Sequence, residues 1–551
     1  AASAALQGSA FHAGPQARPA AARSHVRLAV GPPSEADVVV VGTGISGSSL
    51  GFHLAREQRA GRVVLTEARD VVGGNVISKT NDEGFLWEEG PNTFQPTAQI
   101  LRLAHDVGLA DELVLAEATL PRLVYFQGNL YPLPLNNPLV DGALNFDLVS
   151  WPGKIRAALG ALGLPGVLAE HDEAALGEES VESFVTRHLG REVFEKVIDP
   201  FVSGVYAGDP ARLAMKWALK KIFALEARGF NRGLLSGGLE RFAELQAERK
   251  APEFAQKWRE GAELMQTRVQ AGALGSFKRG LQSLPTAVAD KLGPDCVFTG
   301  RKLARVEKDP AGGYRATFET PSGTETVRCQ ALALTIPSHA YGSVLAGLEG
   351  AEELVEALGR IRYPPVASVT LAYKTEWLRD DIDKPLQGFG HLIPRTEGVR
   401  TLGTIWSSSL FPERAPGGWE LVLNYIGGSR DTALGDLSSE EIVAQVDADV
   451  KKVLLRPDAS GAEPKVLGVR LWPKAIPQYE KGHGAVLEAI EAFERRHPGL
   501  FLGGNYRTGV AFGDCVAFGV DEAERIGAYL RATGAAPAEA PSEAPASVAA
   551  S

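Results

Sequence analysis

One stretch near the amino end constrains the fold more than any other part of the chain. Residues 37–47 read DVVVVGTGISG, an apolar strand that runs directly into the pattern GxGxxG, and a second apolar strand at 62–67 ends on Glu67. In this pattern the glycines allow a tight turn, a close approach of the backbone to a pyrophosphate and close packing of the following helix, and the acid accepts from ribose hydroxyls. The pattern therefore predicts a dinucleotide site in a doubly wound α/β sheet, with a glycine-tight surface turn as the alternative. The predicted phosphate loop is Gly42, Thr43, Gly44, Ile45, Ser46 and Gly47.

The residues that follow Glu67 indicate which dinucleotide binds. A second glycine pair, Gly73-Gly74, occupies the place where a nicotinamide-binding fold usually continues into its crossover helix. Near the carboxyl end, LFLGGNYRTGVAFGDCV (500–516) repeats the strand, glycine turn and helix, and we expect this helix to begin near Gly509 or Val510. A helix N-terminus there can direct N–H groups to the pyrimidine edge of a flavin, where negative charge develops on reduction. The two chain ends therefore predict one discontinuous FAD domain; two unrelated turns are the alternative.

The composition of the chain limits which partners it is expected to bind and which chemistry it is expected to perform. The chain has 551 residues, enough for about two to four domains, and a net charge of −10 without a long basic run. An acidic chain of this kind does not favour nucleic acid as a partner. The three cysteines, Cys296, Cys329 and Cys515, show neither metal spacing nor a CxxC pair. We therefore predict no metal site and a reducing compartment, with Cys515 packed as a core thiol.

The two ends of the chain differ in composition from its middle. Residues 1–36 are rich in Ala, Ser and Arg and carry no acid before Glu35, which is typical of a transit peptide; an ordinary disordered extension is the alternative. Residues 532–551 are rich in Pro, Ala and Glu, and we expect them to be disordered. No apolar run is long enough to span a membrane. The apolar stretch 155–168 fits an interfacial helix and a core helix equally well.

Between these ends the organisation is discontinuous, because FAD-type sequence returns twice after an interruption. Apolar positions at helical spacing predict helices in the first interruption, and short strand patterns predict a mixed-sheet substrate domain in the last. The predicted segments are a first FAD part at 37–120, a helical region at 121–235, a charged and exposed excursion at 236–274, a second FAD part at 275–335, a substrate-binding domain at 336–475 and a third FAD part at 476–531.

A set of longer motifs has no generic structural meaning and follows one order along the chain. The set includes TEARDVVGGN (66–75), WEEGPNTFQP (87–96), SGVYAGDP (203–210), GFGHLIPR (388–395) and LGGNYRTGVAFG (502–513). On these motifs the chain resembles the protoporphyrinogen oxidase family, in particular its plastid type from plants and algae. The resemblance covers nearly all of residues 37–530.

The resemblance implies an architecture and an activity. The fold class is α/β, with a discontinuous Rossmann-like FAD-binding domain, an α+β mixed-sheet substrate domain and a helical membrane-associating domain. The implied reaction is the oxygen-dependent oxidation of protoporphyrinogen IX to protoporphyrin IX, with FAD as hydride acceptor and release of peroxide, in heme and chlorophyll biosynthesis. The implied protein lies in the plastid, binds one leaflet of a membrane, and is compatible with a homodimer.

The resemblance also assigns residues to the cofactor and the substrate. Asn92 is expected at the reactive edge of the flavin, where its carboxamide can bond either the flavin or a pyrrole N–H; a turn-capping Asn after Pro91 is the alternative. Phe389 and Val366 are expected to sandwich the macrocycle. Phe126 stands where the mitochondrial type has a propionate-binding arginine. Either another group holds the propionate here, Arg122 or backbone N–H groups, or the propionate points to solvent. Beyond the phosphate loop, the expected cofactor contacts are Glu67, Gly73, Gly74, Asn75, Gly90, Pro91, Asn92, Thr93, Leu303, Asn505, Val510, Ala511 and Phe512.

Several positions depart from the pattern of the family. Val71 stands where relatives usually have arginine, which removes a charged partner from the cofactor region. Arg507 and Asp514 stand where close plastid relatives have neither, which predicts an altered charge at the flavin entrance. Two other functions remain as alternatives: another FAD-dependent oxidase or desaturase of the amine-oxidase group, and a non-catalytic binding protein of the same fold.

Overall fold

The computed structural model describes residues 31–57, 59–134, 145–164 and 178–534. Most of the predicted transit segment and of the predicted disordered tail lies outside these residues, as does the end of the apolar stretch 155–168. Within the described residues, no helix is both long enough and apolar enough to cross a membrane.

The described strands form two large sheets and two small pairs. In chain order they are β1 Glu35–Val41, β2 Val63–Thr66, β3 Ser78–Thr80, β4 Leu86–Glu88, β5 Leu113–Leu115, β6 Arg122–Phe126, β7 Asn129–Pro132, β8 Gly275–Phe277, β9 Val297–Phe298, β10 Lys302–Lys308, β11 Tyr314–Thr320, β12 Gly323–Leu334, β13 Val366–Lys374, β14 Gly390–Leu392, β15 Thr401–Trp406, β16 Trp419–Gly427, β17 Lys465–Trp472 and β18 Leu500–Leu502. The first large sheet has the order β10-β11-β12-β1-β2-β9, with β18 beside β12, and the second has the order β17-β13-β16-β15-β14-β6-β7.

The helices cover both large sheets and form a separate region between residues 181 and 268. In chain order they are α1 Ile45–Arg56, α2 Ala98–Asp106, α3 Trp151–Ala161, α4 Val181–Leu189, α5 Arg191–Val193, α6 Asp199–Tyr206, α7 Met215–Ala218, α8 Lys220–Arg228, α9 Leu234–Lys250, α10 Pro252–Lys257, α11 Arg259–Arg268, α12 Ser283–Leu292, α13 Tyr341–Val344, α14 Ala351–Gly359, α15 Ser407–Leu410, α16 Ser439–Leu454, α17 His483–Arg496 and α18 Phe512–Ala532. A π-helical segment, Phe194–Ile198, joins α5 to α6.

The first large sheet is parallel at its centre and is assembled from distant parts of the chain. β1 pairs in parallel with β2 on one side and β12 on the other, and β18 pairs in parallel with the end of β12. Val38 and Val40 of β1 face α1 and α18, whereas Val39 and Val41 face the core shared with α13, α14 and α17. A strand covered on both faces is apolar throughout, which explains the valine run. The discontinuous α/β sheet predicted from the two chain ends is confirmed.

The carboxyl-terminal helix α18 packs directly on α1 and so joins the chain ends. Ser49 Oγ donates to the carbonyl oxygen of Val516 over 2.8 Å. A Cβ on Gly519 would lie 2.5 Å from the backbone nitrogen of Leu50, so only glycine permits this approach. Because β1 and β18 are both parallel to β12, α1 and α18 begin at the same carboxyl edge of the sheet. Ligands of open α/β sheets bind at this edge.

The second large sheet is antiparallel except where β14 runs parallel to β6. Successive side chains of a strand point to opposite faces. One face is covered by α16, where Val369 packs in the same cluster as Ile442. The other face is turned toward the first sheet, since Ser368 and Tyr425 donate to backbone carbonyls of residues 89 and 90. We call this second face the inner face.

The hairpin β6–β7 belongs to the second sheet, whereas the sequence pattern predicts a largely helical region from residue 121. The two strands are joined by Gln127 and Gly128, whose φ values are 47° and 85°. Two successive positive φ angles form the two-residue turn whose twist suits an antiparallel pair. The short apolar segments on either side of Gln-Gly carry this hairpin signal, and the helical elements begin after it.

The segment 236–274 is packed into the fold more closely than its charged composition predicts. It forms most of α9 and all of α10 and α11. Trp258 is buried, and a Cβ on Gly261 would collide with the carbonyl oxygen of Ala98 in α2. Met265 packs against the same apolar cluster as α2. The end of the segment therefore supports the first FAD part, while much of α9 is exposed as expected.

Candidate functional site

The loop between β1 and α1 has the backbone geometry that the GxGxxG pattern predicts. Gly42 has a φ of 100°, a left-handed conformation that favours glycine. A Cβ on Gly47 would collide with the carbonyl oxygen of Gly42, so the helix approaches the strand this closely only without a side chain. A Cβ on Gly44 would meet nothing within 4 Å. Ile45 and Ser46 are buried in the first turn of α1, and no side chain caps that helix end. The loop thus presents open backbone at a helix N-terminus, the geometry that binds phosphate.

Glu67, which follows β2, is buried and holds this loop in place. One carboxylate oxygen accepts from Thr43 N over 3.1 Å and from the Thr43 hydroxyl over 2.7 Å. The other accepts from Arg69 N over 3.0 Å. Each carboxylate oxygen has two lone pairs, so the group as a whole keeps acceptor capacity. Glu67 therefore orients the loop and can still accept from a ribose hydroxyl.

The second glycine turn lies against the first. Gly73 and Gly74 have φ values of 115° and 56°, and a Cβ on Gly74 would lie 3.0 Å from Gly44 Cα. A Cβ on Gly90 would collide with the carbonyl oxygen of Asn75, so Gly90 packs on the second turn in its own right. The structure therefore brings together three of the segments expected to touch the cofactor, residues 42–47, 73–75 and 90–93.

The segment 89–93 is held from its other side by the second sheet. The carbonyl oxygen of Glu89 accepts from the Ser368 hydroxyl over 2.7 Å and from the Trp472 indole N–H over 3.0 Å. The carbonyl oxygen of Gly90 accepts from the Tyr425 hydroxyl over 3.1 Å. The three donors belong to β13, β17 and β16. This segment, with Pro91 and Thr93 beside Asn92, therefore forms the junction between the glycine turns and the inner face.

Asn92 belongs to a buried polar cluster that sequence reasoning missed. Arg414 Nη1 donates to Asn92 Oδ1 over 3.1 Å, and its Nη2 donates to Glu88 Oε1 over 3.0 Å and to Ser276 Oγ over 2.7 Å. Arg414, Glu88 and Asn92 are 3%, 1% and 5% exposed. Burial raises the pKa of Glu88 to about 7 although Arg414 lies beside it. We call Glu88, Asn92, Ser276 and Arg414 the site cluster.

The carboxyl-terminal segment reaches the same edge of the sheet, but its helix begins later than predicted. α18 begins at Phe512 and not near Gly509 or Val510. Gly509 has a φ of 157° and lies against the Asp514 side chain, so the backbone is extended there and cannot be helical. Ala511, the residue before α18, makes no capping hydrogen bond with its side chain. The first backbone N–H groups of α18 are therefore not capped by that residue. Asp514 lies in the first turn, where negative charge stabilises a helix.

The other expected cofactor residues lie around this segment. Phe512 stacks on Phe94 with the ring centroids 5.7 Å apart, which ties the start of α18 to residues 90–93. The carbonyl oxygen of Asn505 accepts from the Tyr479 hydroxyl. Val510 packs against the helical region, and Leu303 is buried in the core beneath the first sheet.

Arg507 does not alter the charge at the flavin entrance as its sequence position predicts. Its guanidinium turns inward and lies 2.8 Å from Glu494 Oε1. Arg525 Nη2 lies 2.6 Å from Glu494 Oε2, and Arg525 Nη1 lies 3.1 Å from Glu522 Oε1. We call these four residues the carboxyl-terminal cluster. The positive charge of Arg507 is paired inside the protein, because α17 supplies an acid next to it.

Two of the expected substrate residues, Arg122 and Phe389, lie in contact at the edge of the inner face. Cross-strand register places Arg122 of β6 on the same face as Tyr425 of β16, through β14 and β15. The Arg122 guanidinium lies over the Phe389 ring, 5.5 Å from its centroid. Burial lowers the pKa of Arg122, but an arginine stays charged in proteins. The inner face therefore carries a partly desolvated cation beside an aromatic ring.

The other two substrate candidates occupy separate apolar clusters. Val366 begins β13 and packs with Ala207 and Leu402, and Ala207 directly follows α6, which contacts β14 and β15. Phe126 shares the face of Arg122 but packs with residues 193–197, where Lys196 Nζ lies 5.0 Å from its ring centroid. The structure therefore does not bring Phe126 together with Phe389.

The histidines and the cysteine nearest to the motifs are core residues. Burial lowers the pKa of His391 to about 3, and Trp406 Nε1 donates to its Nδ1 over 3.2 Å. Burial lowers the pKa of His483 to about 4. Cys515 is buried, and burial raises the pKa of its thiol to about 11, as expected of a packed thiol. Over the described ranges, no group of three or more His, Cys, Asp or Glu side chains could hold a metal ion.

The residues at this junction fit a bound FAD. The open backbone of Gly44 at the start of α1 suits the pyrophosphate, and Glu67 suits the ribose. The start of α18 suits the pyrimidine edge of the flavin. Asn92 Nδ2 is buried and has no hydrogen-bond partner among the described residues, so it is available to donate to a bound group.

The fold and this junction define a class of protein: a flavoprotein whose FAD domain is assembled from several stretches of chain and faces a second, mixed sheet. The model of a family described as flavin containing amine oxidoreductase matches residues 45–527. Protoporphyrinogen oxidase 1, chloroplastic, of Arabidopsis thaliana is 45% identical over 490 residues, 87% of this chain and 86% of that protein. Protoporphyrinogen oxidase, chloroplastic, of Oryza sativa subsp. japonica is 44% identical over 529 residues, 92% of this chain and 93% of that protein.

A crystal structure from Exiguobacterium sp. 255-15 matches the fold with a TM-score of 0.68 at 22% identity, over 90% of this chain and 100% of that one. The chain belongs to the flavin containing amine oxidoreductase family and, within it, to the protoporphyrinogen oxidases.

Proposed function

We propose that this chain oxidises protoporphyrinogen IX to protoporphyrin IX, with oxygen as the final acceptor, in heme and chlorophyll biosynthesis. The observation that carries the proposal is the junction at residues 89–93, which joins the glycine turns for FAD to the inner face. Relatives at 45% and 44% identity are named protoporphyrinogen oxidases. FAD, when bound, accepts a hydride from a carbon of the substrate.

The inner face supplies what a large apolar substrate with carboxylates needs. Val366, Leu402 and Ala207 are buried apolar side chains at one end of the face. Arg122 lies on the Phe389 ring at the other end. We propose that the apolar end and the Phe389 ring hold the macrocycle and that Arg122 holds a propionate. A charge-assisted bond to a carboxylate is strong where water is excluded.

The first test is porphyrin fluorescence over time with the purified, detergent-solubilised protein, protoporphyrinogen and air, measured above the spontaneous rate. We expect a rise that needs FAD and oxygen. Gly47→Ala should lose bound FAD and the rise, because its Cβ meets the Gly42 carbonyl. Gly435→Ala is the matched control and should keep both, because a Cβ there meets nothing within 4 Å.

Three outcomes of this assay would contradict the proposal. A yellow, flavin-loaded protein without a rise would move the substrate to another apolar hydride donor of the amine-oxidase group. A colourless protein without a rise would favour a non-catalytic binding protein. When the assay is repeated with coproporphyrinogen, faster oxidation than with protoporphyrinogen would keep the chemistry and change the substrate.

The role of Arg122 has its own test. Arg122→Gln should raise KM for protoporphyrinogen about tenfold with little change in kcat, since one charge-assisted bond is lost from binding. Arg305→Gln is the control, because Arg305 is exposed on β10 in the first sheet. An unchanged KM in Arg122→Gln would show that another group holds the propionate.

We also propose that the protein binds one leaflet of a membrane through the helical region. Large apolar side chains are exposed on neighbouring elements there: Phe230 is 77% exposed, Leu239 66% and Phe242 63%. Trp151 of α3 is exposed as well, with Lys154 Nζ 4.8 Å from its ring centroid. An exposed apolar surface with aromatic and cationic side chains is typical of binding at the headgroup level.

Vesicle flotation tests this attachment. The wild-type protein should float with vesicles that contain anionic lipid, and the double variant Leu239→Glu/Phe242→Glu should bind at least about tenfold more weakly. Val466→Glu is the matched control, since Val466 is 48% exposed on β17 outside the helical region. Equal binding by the double variant and the control would contradict the proposed face. Location in the plastid and formation of a homodimer are further proposals, tested by import into isolated plastids and by sedimentation equilibrium.

A further inference from the structure

The Asn92 carboxamide has an acceptor atom, Oδ1, and a donor atom, Nδ2. Arg414 fixes which of the two atoms faces the arginine and which faces away from it. Oδ1 only accepts and Nδ2 only donates, whereas an arginine has donors alone. Arg414 Nη1 lies 3.1 Å from the carboxamide, so the atom next to it must be Oδ1. Nδ2 then points away from the arginine, where it is buried and without a partner in the described part of the chain. The direction of the donor follows from the chemistry of Arg414.

Arg414 is itself fixed from several sides. Its Nη2 donates to Glu88 and to Ser276, and its guanidinium lies 4.7 Å from the Phe411 ring centroid. Glu88 is fixed in turn, because it accepts from the Ser78 hydroxyl over 2.6 Å and from Leu281 N over 2.9 Å. A guanidinium held in this way cannot turn to release the carboxamide without breaking buried hydrogen bonds.

The neighbours of Asn92 indicate what Nδ2 faces. On one side, Gly90 packs on Asn75 in the second glycine turn. On the other, Phe94 stacks on Phe512 at the start of α18. Asn92 therefore lies between the two parts of the chain that fit the phosphate side and the flavin side of FAD.

We propose that Arg414 is a positioning residue that holds Asn92 as a hydrogen-bond donor to the flavin ring. The partner must be an acceptor, a carbonyl oxygen or an unprotonated ring nitrogen of the oxidised flavin. A pyrrole N–H of a porphyrinogen is itself a donor and cannot pair with Nδ2. The proposal rests on the FAD site of the proposed function and does not depend on which substrate is oxidised.

The test uses the FAD-loaded protein without substrate. The variants are Asn92→Leu, Arg414→Lys, and Arg414→Met combined with Glu88→Gln so that no carboxylate stays buried without its cation. The readouts are the visible absorption bands of the bound flavin, its reduction potential and the Kd for FAD. Asn92→Leu and the Glu88→Gln/Arg414→Met variant should shift the bands and the potential alike and raise Kd about tenfold. Arg414→Lys should recover part of the wild-type values.

The sign of the potential shift names the acceptor. A lower potential in the variants means that Nδ2 bonded an atom that gains negative charge on reduction, either a carbonyl oxygen or the ring nitrogen beside it. A higher potential means that it bonded the ring nitrogen that gains a proton. Combining the Asn92 and Arg414 changes should add little to either alone, because both remove the same bond.

A buried arginine elsewhere provides the matched control. Arg187 lies 2.7 Å from Glu179 and 2.8 Å from Glu226 in the helical region. Arg187→Met should lower the thermal midpoint but leave the flavin bands and the potential unchanged. Wild-type bands and potential in the Glu88→Gln/Arg414→Met variant would overturn the proposal, and so would fully additive effects of the Asn92 and Arg414 changes. Because no porphyrinogen is present, a failure of the substrate assignment leaves these readouts unaffected.

Discussion

The site cluster and the carboxyl-terminal cluster each bury a glutamate next to arginine, yet the two acids behave in opposite ways. Glu88 faces one arginine, and burial raises its pKa to about 7. Glu494 faces two, Arg507 at 2.8 Å and Arg525 at 2.6 Å. Burial also acts to raise the pKa of Glu494, but hydrogen bonds from both arginines hold that pKa below its ordinary value. Both residues are almost excluded from solvent, and Glu494 has one more arginine than Glu88 to offset its burial.

The difference matches what each cluster does in the fold. Glu494, in α17, also accepts from Leu502 N in β18 over 2.8 Å. Through its ion pair with Arg525 it joins α17 to α18 as well. The site cluster instead has a single arginine beside Glu88, and the Nδ2 of Asn92 has no hydrogen-bond partner within the described part of the chain. In a structural cluster every charged group is paired within the protein. In a cluster at a binding site, some polar groups stay without a protein partner and can bond a ligand.

The largest effect is expected from Glu494→Gln. Removing this charge leaves Arg507 and Arg525 facing each other near the first sheet, and breaking one side of a buried ion pair costs about 3–5 kcal/mol. Urea unfolding at neutral pH should show this loss. Glu522→Gln is the control. Among the described residues Glu522 pairs with Arg525 alone, whose side chain is 42% exposed, so the loss should stay below about 1 kcal/mol. Equal losses would show that the second arginine does not matter.

The second prediction concerns pH, because the contributions of Glu88 and Glu494 to stability change in opposite directions as the pH rises. The folded-state pKa of Glu88, about 7, lies above the ordinary value of 4.5. Its contribution to stability is therefore complete below pH 4.5 and is lost as the pH rises through 7. The loss is up to about 3 kcal/mol. Glu494 has a lowered pKa, so its contribution is present above its ordinary pKa and is lost as the pH falls through the lower folded value.

Urea midpoints across this pH range measure the effect. As the pH rises toward 7, the urea midpoint of the wild type should fall steadily relative to the urea midpoint of Glu88→Gln. The amide keeps an acceptor for Arg414, so the variant should still fold. Parallel curves for the two proteins would contradict a titrating Glu88.

The third prediction separates two bonds made by Arg414. Ser276→Ala removes the acceptor that lies 2.7 Å from Nη2 but leaves the bond from Nη1 to Asn92. We expect a loss of about 1 kcal/mol in unfolding free energy and unchanged flavin absorption. Ser322→Ala, at an exposed turn between β11 and β12, should change neither quantity. A shift of the flavin bands in Ser276→Ala would mean that the arginine moves once this bond is lost.

Local patterns in the sequence predicted the parts of this site that neighbouring residues build. The β1–α1 loop and the α/β class followed from glycines, an apolar strand and an acid in one short stretch, because each has a local steric or hydrogen-bonding task. The start of α18 was predicted two or three residues too early, because the extended backbone at Gly509 is not visible in a glycine-rich segment. Arg414 and Glu88 are 326 residues apart, and no local pattern pairs them. The hairpin at Gln127-Gly128 carries a local turn signal, which the prediction of a largely helical region from residue 121 did not include.

The smallest expected effect concerns an exposed cation at the edge of the site. Val71 is 56% exposed beside the second glycine turn, where the family pattern has arginine. Val71→Arg should lower the Kd for FAD about two- to fivefold, since an exposed charge contributes below about 1 kcal/mol. The gain should fade at high salt, because exposed charges are screened and buried ones are not. Val466→Arg is the control at a similarly exposed position on β17. A gain that survives high salt would mean that the new guanidinium is shielded from solvent, as that of Arg414 is. No gain at any salt concentration would mean that the buried contacts alone retain the cofactor.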